Sequence, residues 1–70
     1  MERREIETFT FQDAVNKGED VIIVSLFPSE RAIALAISSR HDGDAQVCLS
    51  PVDAERVIGI LQHAVSMLET

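Results

Sequence analysis

The sequence predicts an α+β fold: a two-layer antiparallel β-meander of three to four strands, with one long C-terminal helix packed on one face. Three observations support this prediction. Apolar residues alternate along residues 31–38, Asp42-Gly43 is a strong hairpin signal, and Ser50-Pro51 marks the start of a helix. Because 70 residues are too few for two domains, we expect residues 1–70 to form a single domain.

The first predicted element is a short strand at residues 5–9, and the segment after it allows two interpretations. Residues 10–13 (Thr-Phe-Gln-Asp) have the pattern of a capping box, which favours a short helix that Gly18 would end. The apolar face of this helix would contain Phe11, Ala14 and Val15. The alternative is a plain loop across residues 11–20.

The next two strands follow from their apolar patterns. Residues 21–27 are rich in β-branched side chains and apolar on both faces, which predicts a strand inside the sheet, and residues 27–30 form a turn around Pro28. Residues 31–38 predict the following strand, whose two faces carry Ile33, Leu35 and Ile37, and Ala32, Ala34 and Ala36. The three small alanines would let another element approach closely, either the long helix or a second copy of the sheet.

The last predicted elements are a hairpin at residues 41–44, a strand at residues 45–49 and a helix from residue 51 to about residue 69. Ser50 is placed to accept from a free N–H of the helix, and Pro51 has no N–H that needs a partner. The carboxylate of Asp53 favours the positive end of the helix dipole. These residues predict a strand that passes directly into a helix.

The helix has more apolar surface than one core face requires. We expect seven residues with helical spacing to face the sheet: Ala54, Val57, Ile58, Leu61, Ala64, Val65 and Leu68. Ile60 and Met67, with His63 between them, lie on another side of the helix and are interpreted as a partner-facing stripe. Gly59 in the middle of the helix indicates close packing at that position.

Charge and composition bound the class of protein. Twelve acidic residues against six basic ones give a net charge of −6, which repels nucleic-acid phosphate and anionic membranes.

The cysteine content excludes one route to stability. Since Cys48 is the only cysteine, no disulfide can form within the chain. A domain this small gains little net stability from its own core, so we expect a homodimer or a tight hetero-complex, with the homodimer preferred. A charged start and the absence of a long apolar run predict a cytoplasmic protein with no membrane segment.

No group of residues has the pattern of a catalytic or metal site. Cys48 with His41 or His63 could form a nucleophile pair, but a cysteine in a strand is interpreted as a small packed hydrophobe. His41, Asp42 and Asp44 lack the further oxygen ligands of a calcium loop. The sequence therefore predicts a protein that is not an enzyme, with no catalytic residue, no cofactor and no metal.

Two functional hypotheses remain. The first is a small acidic protein-binding module, an inhibitor, adaptor or regulator of the kind that phages and mobile elements encode, with a protein partner of unknown identity. Its candidate interface residues are Ile60, His63 and Met67 on the helix and Ala32, Ala34 and Ala36 on the sheet.

The second hypothesis comes from the order of strands followed by a Ser-capped helix. Over residues 21–68, this order together with Leu49-Ser50-Pro51 is similar to the Whirly-like and Pur-alpha-like families. The resemblance implies a dimer that binds single-stranded nucleic acid on its sheet. Such binding needs a basic groove with aromatic platforms, whereas this chain has six basic residues, three Phe and neither Trp nor Tyr. We therefore expect nucleic acid not to be the partner.

Overall fold

The computed structural model describes residues 2–69 and has the predicted α+β architecture. Four strands form one antiparallel meander in the order β1-β2-β3-β4, and a single helix follows. The elements are β1 (Arg4–Gln12), β2 (Glu19–Phe27), a 3-10 turn (Pro28–Glu30), β3 (Ala32–Ser39), β4 (Gly43–Leu49) and α1 (Pro51–Leu68). No helix in the described part of the chain is both long and apolar enough to cross a membrane.

The segment after the first strand is a turn at residues 13–18, so the short helix is not formed and the predicted loop at residues 11–20 is too long at both ends. Strand β1 continues to Gln12, because Phe11 and Gln12 pair with Asp20 and Glu19 of β2. The residue that organises the turn is Asp13. Its Oδ1 accepts from the backbone N–H groups of Val15 at 2.8 Å and Asn16 at 2.9 Å, and its own N–H donates to the carbonyl of Gly18 at 2.7 Å.

The register divides the sheet into two chemically different faces, because directly opposed residues of antiparallel strands project to the same side. One side, the apolar sheet face, carries Phe9, Phe11, Ile22, Val24, Leu26, Ile33, Leu35, Ile37, Ala45, Val47 and Leu49. Four polar residues share this side at its margins: Arg4, Glu7, Asp20 and Ser39. The other side, the small-residue face, carries Thr8, Thr10, Ile23, Ser25, Phe27, Ala32, Ala34, Ala36, Gln46 and Cys48.

The single chain has almost no buried core. Among the described residues, Ala34 is the only buried hydrophobic side chain. Its neighbour across the strands, Ser25, is also fully buried, and the Ser25 Oγ accepts a hydrogen bond from the Arg3 Nε at 3.2 Å. The large apolar side chains of the sheet are therefore half-buried or exposed.

Helix α1 begins as the sequence predicts but stays largely uncovered. The Ser50 Oγ accepts from the backbone N–H of Asp53 at 3.1 Å, and Pro51 is the first helical residue. No residue of α1 is buried, and of the seven expected to face the sheet only Ala54 and Val57 are half-buried. The helix touches β3 and β4 through its first turns, and its later turns leave the sheet.

The close packing expected at Gly59 is not found within the chain. A Cβ atom placed on Gly59 would meet no other atom within 4 Å in the described residues. Gly59 lies on the polar side of α1, away from the apolar residues of the helix.

Candidate interaction surfaces

The apolar sheet face has a pair of aromatic rings at its β1 edge. Phe9 and Phe11 are two residues apart in β1, so both rings project to this face. Their centroids are 5.5 Å apart and their planes differ by 17°, which makes the pair stacked. Phe9 is 59% exposed although it is a large apolar residue. An exposed aromatic pair on an otherwise apolar face is a candidate contact for another molecule.

Two cross-strand rows extend this surface from the aromatic pair across all four strands. The first row runs from Phe9 through Ile22 and Ile37 to Ala45. The second row lies beside it and consists of Glu7, Val24, Leu35 and Val47. Opposed residues in such rows have Cβ atoms about 4.5–5.5 Å apart, so the rows form a continuous surface that is apolar except for Glu7 at the β1 edge. Val47, at the far edge, is 52% exposed.

The helix presents a second apolar surface, which we call the α1 stripe. It consists of Ile58, Ile60, Leu61, Ala64, Val65 and Leu68. At 100° per residue these positions occupy a little less than half of the helix circumference. Three members at its centre and end, Leu61, Val65 and Leu68, are 60%, 53% and 89% exposed.

The candidate interface residues from the sequence lie in two separate places. Ile60, His63 and Met67 are exposed on α1, where Ile60 belongs to the α1 stripe, Met67 borders it, and His63 lies on the polar side of the helix. The three alanines are on the small-residue face, where Ala34 is already fully covered and Ala32 and Ala36 are half-buried. Because Ile60 and Met67 remain exposed, the structure does not bring the two groups together within one chain.

Sequence reasoning missed the aromatic pair. Phe11 was expected in a short helix or a loop, whereas it continues β1. The available signal was the alternation of Thr8, Phe9, Thr10 and Phe11, which places both rings on one face and both threonines on the other.

The free thiol of Cys48 is exposed, which differs from the packed hydrophobe that the sequence suggested. Cys48 pairs with Ala34 on the small-residue face. It lines an open depression together with Phe27, Ala32 and Gln46. Glu30 also lines this depression, so a carboxylate is the one titratable side chain beside the thiol among the lining residues.

Three titratable residues meet where the β1–β2 and β3–β4 turns lie side by side. Asp20 is only 4% exposed, and its Oδ1 has no hydrogen-bond partner among the described residues. The backbone N–H groups of Asn16 and Val15 lower the pKa of Asp13, with smaller contributions from the Asp20 side chain and the charge of His41. Nevertheless, no three His, Cys, Asp or Glu side chains between residues 2 and 69 are placed to hold a metal ion.

Comparison of the chain with protein-family models, with curated proteins and with solved structures gives no match in any of the three.

Proposed function

We propose that this protein is a non-catalytic protein-binding module whose apolar sheet face binds a target protein. The observation that carries the proposal is the pair of apolar rows that stays accessible across the sheet and ends in the stacked Phe9–Phe11 pair. A module of this size acts by occupying a surface of its target, as an inhibitor, adaptor or regulator does.

The chemistry of this face suits a protein target. Burial of apolar area contributes about 25 cal/mol per Å², and exposed aromatic side chains are the residues that most often dominate binding energy. The net charge of −6 favours a target whose apolar patch is surrounded by basic residues, since complementary charges speed association and suppress wrong partners.

We place the module in the cytoplasm as part of the proposal. The chain has one cysteine, Cys48, and its thiol is free and exposed. A reducing compartment keeps such a thiol from forming disulfides between chains.

The test compares two variants of strand β1 that differ in the face they alter. Phe9→Ala removes the exposed ring from the apolar sheet face, and Thr10→Ala is the matched control because Thr10 projects from the opposite face of the same strand. Each immobilised protein is exposed to lysate of the source organism with and without nuclease treatment, and captured proteins are quantified by mass spectrometry. We expect one protein that wild type and Thr10→Ala capture equally and that Phe9→Ala captures at least tenfold less.

Equal capture by wild type and Phe9→Ala would contradict the assignment of the target site to this face. Capture that disappears after nuclease treatment would contradict the protein target itself.

A second candidate, single-stranded nucleic-acid binding, is favoured by one observation, the stacked Phe9–Phe11 pair. Bases stack on aromatic rings of this kind, at about 1–3 kcal/mol per base. The same binding needs basic residues along a groove, and the net charge of −6 opposes it. Fluorescence anisotropy with a labelled single-stranded oligonucleotide measures whether the protein binds nucleic acid. Tight binding that weakens in Phe9→Ala and at higher salt would favour this candidate over the protein target.

A further inference from the structure

We propose that the α1 stripe packs against the same stripe of a second copy of this chain, which makes the protein a two-fold homodimer. This contact is independent of target binding, because the α1 stripe and the Phe9–Phe11 pair are on different elements. The proposal depends on three observations: the size of the exposed surface, the dimensions of the chain and the distribution of charge.

The exposed surface is too large for a monomer of this mass. The chain exposes 5650 Å², which is about 1,300 Å² more than the roughly 4,300 Å² typical of a 7.7 kDa monomer. Each partner in a stable interface of standard size buries about 800 Å². The excess is therefore sufficient for one protomer's share of a dimer interface.

The dimensions of the chain also show that it is more extended than a compact monomer. Its radius of gyration is 13.7 Å, against about 11 Å for a compact domain of 70 residues. The difference arises because the later turns of α1 extend beyond the sheet, and these turns carry the α1 stripe. These turns thus contribute apolar helix to the surface in excess.

The charge pattern selects a second copy as the occupant. Two chains of net charge −6 repel each other, yet residues 57–68 contain no Asp, Glu, Lys or Arg. The acidic residues of α1, Asp53 and Glu55, are confined to its first turns. Two copies that meet through residues 57–68 bury apolar surface without desolvating a carboxylate. A basic partner would find no carboxylate to pair with here.

A two-fold contact requires a surface that is its own complement, and a uniform apolar stripe satisfies that requirement. The charge-free segment spans about 18 Å along the helix axis, so a matching segment of equal length is available in the second copy.

The test uses two double variants that add the same charge at the same spacing. Leu61→Glu with Val65→Glu places two carboxylates on the α1 stripe, and Gln62→Glu with Ser66→Glu places them one residue further on, on the polar side of the same turns. Light scattering coupled to gel filtration should give twice 7.7 kDa for wild type and for the polar-side variant. The stripe variant should give the mass of one chain.

Wild type with the mass of one chain at about 100 μM would overturn the proposal, and this outcome does not depend on any variant folding. A stripe variant that still has the mass of two chains would overturn it as well. Phe9→Ala should leave the mass unchanged, so failure of the dimer and failure of the target site give different results.

Discussion

At the scale of single residues, Asp13 has a role that its position in the sequence does not reveal. It was expected as the last residue of a capping box, whereas its carboxylate organises the β1–β2 turn through two backbone N–H groups. The side chain of Asp20 and the ring of His41 lie close to the same turn. One carboxylate thus connects the ends of two hairpins.

This role predicts a pH dependence of stability. Hydrogen bonds from Asn16 and Val15 lower the pKa of Asp13 in the folded state below its unfolded value of about 3.9. The contribution of Asp13 to stability is therefore complete above the unfolded pKa and is lost as the pH falls through the folded pKa. Asp13→Asn keeps an oxygen acceptor in the same place but cannot ionise.

Urea unfolding of wild type and Asp13→Asn between pH 7 and pH 3 measures this contribution. We expect wild type to be the more stable at pH 7 and its advantage to shrink as the pH falls below about 4. An advantage that stays constant over the whole range would mean that the charge of Asp13 contributes nothing to the turn.

At the scale of secondary-structure elements, the sequence predicts well what local chemistry determines. The strand at 31–38, the Asp42-Gly43 hairpin and the Ser50 cap each depend on neighbours within a few residues, and all three are present. In β1 the register shifts between Glu5 and Glu7, which interrupts the alternation near the start of the strand. The end of the strand at Gln12 was missed because residues 10–13 also have the pattern of a capping box. Burial of α1 depends on tertiary contacts. The spacing of apolar residues along the helix alone could not show that its later turns leave the sheet.

Substitution of two glycines by alanine should change the free energy of unfolding in opposite directions. Gly59 is inside α1 with no atom within 4 Å of a built Cβ, so Gly59→Ala should raise the free energy of unfolding by about 1 kcal/mol. Gly43 has a φ of +81°, a conformation that L-residues avoid, so Gly43→Ala should lower the free energy of unfolding by about 1 kcal/mol.

Urea unfolding of both variants at one protein concentration tests this pair. If Gly59→Ala lowers the free energy of unfolding, another chain packs against the polar side of α1, and the assignment of the interface to the α1 stripe is contradicted.

At the scale of the whole molecule, residues 2–69 present two accessible apolar surfaces and a single buried hydrophobic residue, Ala34. A domain with so little core cannot offset the conformational entropy lost on folding, which is about 1–2 kcal/mol per residue for the backbone alone. Packing of the α1 stripe on a second copy would supply the missing burial and leave the apolar sheet face for a target. Folding and dimer formation should then be one coupled process.

Coupling of this kind makes the melting temperature depend on protein concentration, because dilution favours the separated, unfolded chains. For a dimer with the usual unfolding entropy per residue, tenfold dilution should lower the melting temperature by about 5 °C. Circular dichroism at 222 nm follows the helix signal from about 100 μM down to about 1 μM. The Gln62→Glu, Ser66→Glu variant should show the same slope, since its added charges lie on the polar side of α1. A melting temperature that does not change with concentration would show that the single chain is stable by itself, and the exposed α1 stripe would then have to be explained without a second copy.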